Sequence, residues 1–223
     1  MTRNNRLARM RAMLLAWGEE NTRAFPWRHS TDPYLVLVSE FMLHRTQVKQ
    51  VTPVFEIFTR AFPDLRTLLK SDEKKIQKIL SPLGLQWRID GMIAALKEIQ
   101  IRYDGVPTDY DQLIAVRGIG PYIAGATVCF TTNRPLPLID TNTVRVTGRV
   151  QGLDLSGEAR RRKEITLAIE EICDPDHPRD FYYAMIDLAH ELCRPENPQC
   201  EDCPLLSVPC NYGQSTISKR GGL

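Results

Sequence analysis

Apolar positions recur at three- and four-residue spacing along most of the chain, and alternating β-branched runs are scarce. The pattern predicts helices over 5–20, 34–49, 51–61, 64–70, 72–80, 87–103 and 109–115, then 121–132, 141–150, 157–173 and 179–193. Asp72, Thr108 and Ser156 stand where helix N-caps are expected. Leu35 to Val38 has a strand's composition, but the apolar run continues through Met42 and Leu43, which favours a buried helix. Pro26 and Pro33 bracket a loop, and Pro195, Pro198, Pro204 and Pro209 keep the segment around them out of helix. The polar, glycine-ended tail 214–223 reads as frayed. The expectation is an all-α fold without repeats.

Composition narrows the class. A chain of 223 residues with 43% hydrophobic and 25% charged positions buries a core of one or two domains, which excludes disorder and fibrous repeats. The apolar run Met13 to Trp17 is too short to span a bilayer, and no signal-peptide cleavage pattern follows it, so no membrane partner and an intracellular location are expected, in the cytoplasm or nucleoid. A net charge of +2 neither demands nor excludes nucleic acid. The clusters Arg160-Arg161-Arg162-Lys163 and Lys74-Lys75 with Lys78 read first as solvated helix faces.

The cysteines add chemistry. Four of the six fall as Cys193, Cys200, Cys203 and Cys210, spaced C-x6-C-x2-C-x6-C, while Cys129 and Cys173 sit among apolar residues as small hydrophobes. Without a secretion signal a metal site is favoured over disulfides. Four thiolates suit an iron–sulfur cluster or tetrahedral zinc. Structural zinc usually takes two C-x2-C knuckles. This run has one knuckle flanked by longer arms, which fits a 4Fe-4S cubane better and leaves zinc as the alternative.

Residues 113–124 form a second constellation. A helix ends near Val116, Gly118 and Gly120 flank the apolar Ile119, and Pro121 opens the next helix. Glycines permit a tight turn, and free amides at a helix N-terminus make an anion site. This is the pattern of a helix-hairpin-helix, a sequence-independent grip on a DNA phosphate, and equally that of many plain αα-turns until the rest of the chain is weighed. Asp140 opens a further helix, where an N-cap and a carboxylate aimed at a ligand are both open readings. Glu40 lies within an apolar helix and must either find a partner or carry a raised pKa.

In combination these residues resemble the helix-hairpin-helix DNA glycosylase superfamily with an iron–sulfur cluster, the endonuclease III and MutY group, over about residues 5–212. Endonuclease III carries a lysine in G-x-G-x-K after the hairpin; here that position is Tyr122, which removes the Schiff-base nucleophile and implies water instead. The stretch Ser39 to Val48 is similar to the MutY pattern S-E-x-M-L-Q-Q-T-Q-V and puts Glu40 on its catalytic acid. Phe25 to Tyr34 is similar to the F-P-W-R-H-x-x-D-P-Y of archaeal thymine–guanine mismatch glycosylases, which also share an arginine at Arg45 and the V-R-V after Asp140. MutY's paired tyrosines before the hairpin are replaced by Gln86-Trp87, and no domain follows the cysteine loop in this sequence. Six residues stand between the last two cysteines, where the family usually has five.

The resemblance implies a monofunctional glycosylase that flips a mispaired base from double-stranded DNA, thymine or uracil opposite guanine ahead of adenine opposite 8-oxoguanine or guanine. A non-catalytic DNA-binding protein is the rival from another class. Asp140, Glu40 and Tyr122 would be catalytic. Gly118, Ile119 and Gly120 would hold a phosphate, Arg45 would enter the gap left by the flipped base, Gln47 is matched to the MutY pattern, and Gln86 and Trp87 would touch the orphaned base. Trp87 reads equally as core, and Arg194 is a further candidate phosphate contact. The expected architecture is two lobes: a six-helix barrel over about 30–134, and residues 1–29 with 135–223 around the cluster, acting as a monomer.

Overall fold

The computed structural model describes residues 2–84 and 86–220, with nothing said of the side chains at 219 and 220. Twelve α-helices and no strand occur among the described residues. In chain order they are α1 (Arg3–Asn21), α2 (Pro33–Leu43), α3 (Val48–Ala61), α4 (Leu65–Leu69), α5 (Glu73–Leu80) and α6 (Gln86–Tyr103). Then follow α7 (Tyr110–Ile114), α8 (Pro121–Thr132), α9 (Thr141–Gln151), α10 (Lys163–Ile172), α11 (Pro178–Glu191) and α12 (Asn211–Arg220). The chain divides into one unit of Ala24–Thr132 and another of Met1–Arg23 with Asn133–Leu223.

The 24–132 unit is built around α2. This helix is apolar on nearly every side and is buried accordingly, at Tyr34 and from Val36 through Met42. Pro33 at its first position and the Asp32 side chain, which accepts from the Tyr34 amide at 2.8 Å, fix where it begins. It packs against α3 and α8. The small residues Ala124, Gly125 and Ala126 on α8 are buried and allow close approach.

In the other unit α1 lies against α11. A Cβ on Gly18 would stand 2.6 Å from the Ala184 Cβ, so glycine is required for that approach. Asp187 is fully buried on α11, and Arg23 answers it at 2.6 Å while the Arg23 amide donates at 2.9 Å. Helix α9 packs on α10, α11 and α12. Cys129 and Cys173 are buried, each in its own unit.

Several boundaries differ from the sequence pattern. The helix expected over 34–49 ends at Leu43, and α3 begins only at Val48, because Arg45 adopts φ 60° and breaks the run. The helix expected from 157 starts at Lys163 after a 3₁₀ turn at Ala159–Arg161. Ser156 caps nothing: its amide and hydroxyl are engaged by Asp154, and Gly157 turns the chain at φ 61°. Asp109, not Thr108, caps α7, accepting from Gln112 N at 3.0 Å. The tail read as frayed is helical through Arg220, and 221–223 lie outside the described residues.

Candidate functional site

The hairpin joins α7 to α8 through residues 115–120. Gly118 has φ 93°, a left-handed value that favours glycine. Ile119 is 5% exposed and anchors the turn, its amide donating to Val116 O at 3.2 Å. Among the described residues the Gly118 and Gly120 amides donate to no protein group, which leaves them for an anion at the start of α8. Two side chains on α6 brace the loop: Glu98 accepts from the Arg117 amide at 3.2 Å, and Arg102 donates to Ala115 O at 2.9 Å while pairing with Glu98. Tyr122 is half-buried as the second residue of α8. Glu40 is 5% exposed on α2, the helix that α8 packs against.

A second group of candidate residues surrounds the break after α2. The amide of Thr46 returns to Leu43 O at 3.2 Å, closing a turn in which Arg45 is exposed. Gln47 N-caps α3 through its backbone and is also exposed. Gln86 holds Asp90 at 2.8 Å, and Trp87 is 59% exposed, so its core reading is wrong. Desolvation first, then the Arg45 and Arg88 charges, hold His44 below the usual histidine range.

Asp140 is the N-cap of α9. Its Oδ1 accepts from the amides of Asn142 at 2.9 Å and Thr143 at 2.7 Å, and its Oδ2 from the Asn142 side chain at 3.0 Å. Thr143 Oγ1 accepts from the Asp140 amide, completing a capping box. Capping is therefore real here: Oδ1 accepts two bonds and is filled, while Oδ2 accepts one and keeps a lone pair for a ligand. Arg145, one turn along, donates to Asn142 Oδ1 and Ala189 O at 3.0 Å and to Cys193 O at 2.8 Å. Burial lowers the Arg145 pKa from its ordinary value.

Cys193, Cys200, Cys203 and Cys210 line one common void of about 20 Å³, just above the ~10–15 Å³ that a single water needs. No group of three or more potential ligands closes in on a single metal ion among the described residues. Burial pushes the Cys203 thiol up to about 12 and raises Cys210, with the neighbouring cysteines adding to both. Four sulfurs around a common void, Cys203 and Cys210 among them desolvated, are a donor set that an extended cationic centre would satisfy. Arg149 Nη1 donates to Cys193 Sγ at 3.4 Å, and the Gly213 amide to Cys210 Sγ at 3.5 Å, the hydrogen bonds that stabilise ligating sulfur. Arg149 also donates to Arg194 O at 2.6 Å and Pro195 O at 2.9 Å, and lies 4.4 Å over the Tyr212 ring. Arg194 is exposed and turns its Nε back to Glu191 O. Sequence reasoning missed Arg149. The available signal was its spacing of four from Arg145, which puts both guanidiniums on one face of α9.

Comparison with known proteins places this arrangement. The family model described as HhH-GPD superfamily base excision DNA repair protein matches residues 38–175, and the chain belongs to that superfamily. It is 32% identical over 216 residues to a thymine-DNA glycosylase of Aeropyrum pernix, covering 93% of this chain and 95% of the relative. It is also 32% identical to an adenine DNA glycosylase of Buchnera aphidicola, covering 85% of this chain but 54% of that protein. The structure of a thermostable thymine-DNA glycosylase superimposes with a TM-score of 0.85 at 26% identity, covering 95% of this chain and 98% of that one. A DNA-bound endonuclease III shares the helical fold at a TM-score of 0.77.

Proposed function

We propose that this DNA glycosylase of base excision repair removes thymine or uracil mispaired with guanine, by hydrolysis and without a covalent enzyme intermediate. Tyr122 carries the reading: the second residue of α8, directly after the hairpin, is a phenol where a lyase needs an amine. Similarity to thymine and thymine/uracil glycosylases over more than nine-tenths of both chains supports the choice of base.

DNA is the partner, and the protein acts on it as a monomer inside the cell. The Gly118 and Gly120 amides, with Ile119 anchoring the turn, hold a backbone phosphate. Arg45 occupies the gap left by the extruded base, with Gln47 beside it and Gln86 and Trp87 facing the partner strand. In the reaction the N1–C1′ bond breaks and its electron pair leaves with the base. Water adds to C1′ and loses a proton, and the base gains one. Asp140 stabilises positive charge developing on the sugar and orients the water. Glu40 accepts or supplies the proton. Tyr122 lines the pocket and hydrogen-bonds the base or the sugar phosphate. Cys193, Cys200, Cys203 and Cys210 would hold a 4Fe-4S cluster that shapes their loop, while Arg149 ties that loop to α9; tetrahedral zinc is the alternative occupant.

The test is single-turnover base release from T·G, U·G, A·G, A·8-oxoguanine and matched duplexes, each read with and without alkali. Release from T·G and U·G, with strand breaks only after alkali, is the expected result. Adenine release instead moves the enzyme to the MutY branch, which the Gln47-Val48 match favours, and breaks without alkali refute the hydrolytic mechanism.

A further inference from the structure

Arg88 and Trp87 sit side by side on the first turn of α6 with their expected burial exchanged. The tryptophan is 59% exposed and the arginine 4%. A buried guanidinium needs acceptors, and Arg88 takes them from two loops rather than from its own helix. Its Nη2 donates to Leu83 O at 3.1 Å, at the base of the segment that leads to Gln86 and Trp87. Its Nη1 donates to Thr46 Oγ1 at 2.8 Å and to His44 O, both in the break between α2 and α3.

The His44 carbonyl is the important acceptor. Leu43 to Thr46 form a turn closed by the Thr46 amide. His44 at its second position has φ −61° and ψ 107°, and Arg45 at its third has φ 60°. These are type II values, and the third position of such a turn normally takes glycine. Types I and II differ by a flip of the middle peptide, here the one joining His44 to Arg45. A hydrogen bond to His44 O fixes which way that peptide faces, and so holds a non-glycine residue in a conformation it would otherwise leave.

We infer that Arg88 is a positioning residue for base extrusion: its buried guanidinium locks the His44–Arg45 peptide, aims the exposed Arg45, and ties that turn to the segment carrying Gln86 and Trp87. This rests on the gap-filling role proposed for Arg45. It adds a residue that touches no DNA and fixes the geometry of three that would.

The experiment is a double-mutant cycle on the whole protein with Arg45→Ala and Arg88→Lys, which keeps the charge but loses the fork. Three readings are taken: thermal unfolding, single-turnover base release from the mismatch the enzyme prefers, and fluorescence of 2-aminopurine placed beside the mispaired base to follow extrusion. Each single variant is expected to slow extrusion and release about tenfold or more, and the loss in the double variant to fall well short of the product of the two, because Arg88 acts chiefly through Arg45. All variants are expected to keep a cooperative unfolding transition, with the R88K midpoint lowered by the buried hydrogen bonds that lysine cannot make. Independent, multiplying losses, or an R88K variant with parental extrusion while R45A is slow, overturn the inference alone. An R45A variant with parental extrusion overturns the gap-filling reading, and this one with it. Should R88K fail to fold, Thr46→Val removes one acceptor of the same guanidinium, and the same cycle with R45A decides.

Discussion

At the level of single residues, Asp140 does two jobs that substitution can separate. Its carboxylate accepts three N–H groups at the start of α9 and would also face a developing cation. Asparagine caps a helix about as well as aspartate but carries no charge. Asp140→Asn should therefore keep the unfolding midpoint within about 0.5 kcal/mol of the parent while base release falls on the order of 10²- to 10³-fold. Asp140→Ala should lose about 1 kcal/mol in addition, for want of the cap. Single-turnover rates set beside urea unfolding curves check both, and an active D140N variant removes Asp140 from the chemistry. Asp140 and Glu40 were legible in the sequence because a carboxylate at a helix start or in an apolar helix stands out locally. Arg88, Arg145 and Arg149 were not, because each is defined by carbonyls some 40 residues away that a long side chain reaches. The exposure of Trp87 was likewise hidden: an aromatic in an apolar helical pattern reads as core until its neighbours are placed.

At the level of elements, helix α8 and most helix starts follow from local pattern and caps, whereas the break between α2 and α3 does not. Ser39 to Val48 reads as continuous helix by composition, yet the chain breaks at Arg45, φ 60°, next to a carbonyl that Arg88 reaches from 44 residues away. Helix α9 shows the same dependence from the other side. Its first turn is written in the sequence as Asp140 and Thr143, but its value to the cysteine loop lies in Arg149, whose guanidinium binds Arg194 O, Pro195 O and Cys193 Sγ at once. Lysine in its place offers one rotating ammonium and cannot span these acceptors. Arg149→Lys should thus bind the metal centre proposed for the four cysteines about 10- to 100-fold less tightly, the usual penalty for losing a group that supports a ligand. Iron and sulfide content, and the rate of iron loss to a chelator, measure it. A variant that keeps its iron as long as the parent would show that the four sulfurs hold the centre without help, and stoichiometric zinc without sulfide would replace the cluster altogether.

Across the whole molecule, the chain forms the start of one unit, leaves to build Ala24–Thr132, and returns to finish the first. Nothing in the hydrophobic pattern announces that α1 belongs with α11, 160 residues away; what records it is a glycine. Gly18 faces Ala184 so closely that any side chain there meets the Ala184 Cβ, while Met10 and Leu14 on the same helix are buried completely or nearly so. Backbone on both sides of the contact leaves no flexible group to yield, so Gly18→Val must separate the two helices. The expected cost is about 1–3 kcal/mol for the forced spacing. It should be visible as a lower urea midpoint and as faster amide exchange along α1 and α11. Exchange in α2 and α8, which belong to the other unit, serves as the internal reference: a variant that loosens those helices while leaving α11 protected would contradict the packing argument. Because α11 also carries Asp187, whose buried carboxylate is answered by Arg23 beyond the end of α1, opening this contact strips the partner from a buried charge as well, and the loss should exceed that of an equal overpacking between apolar helices.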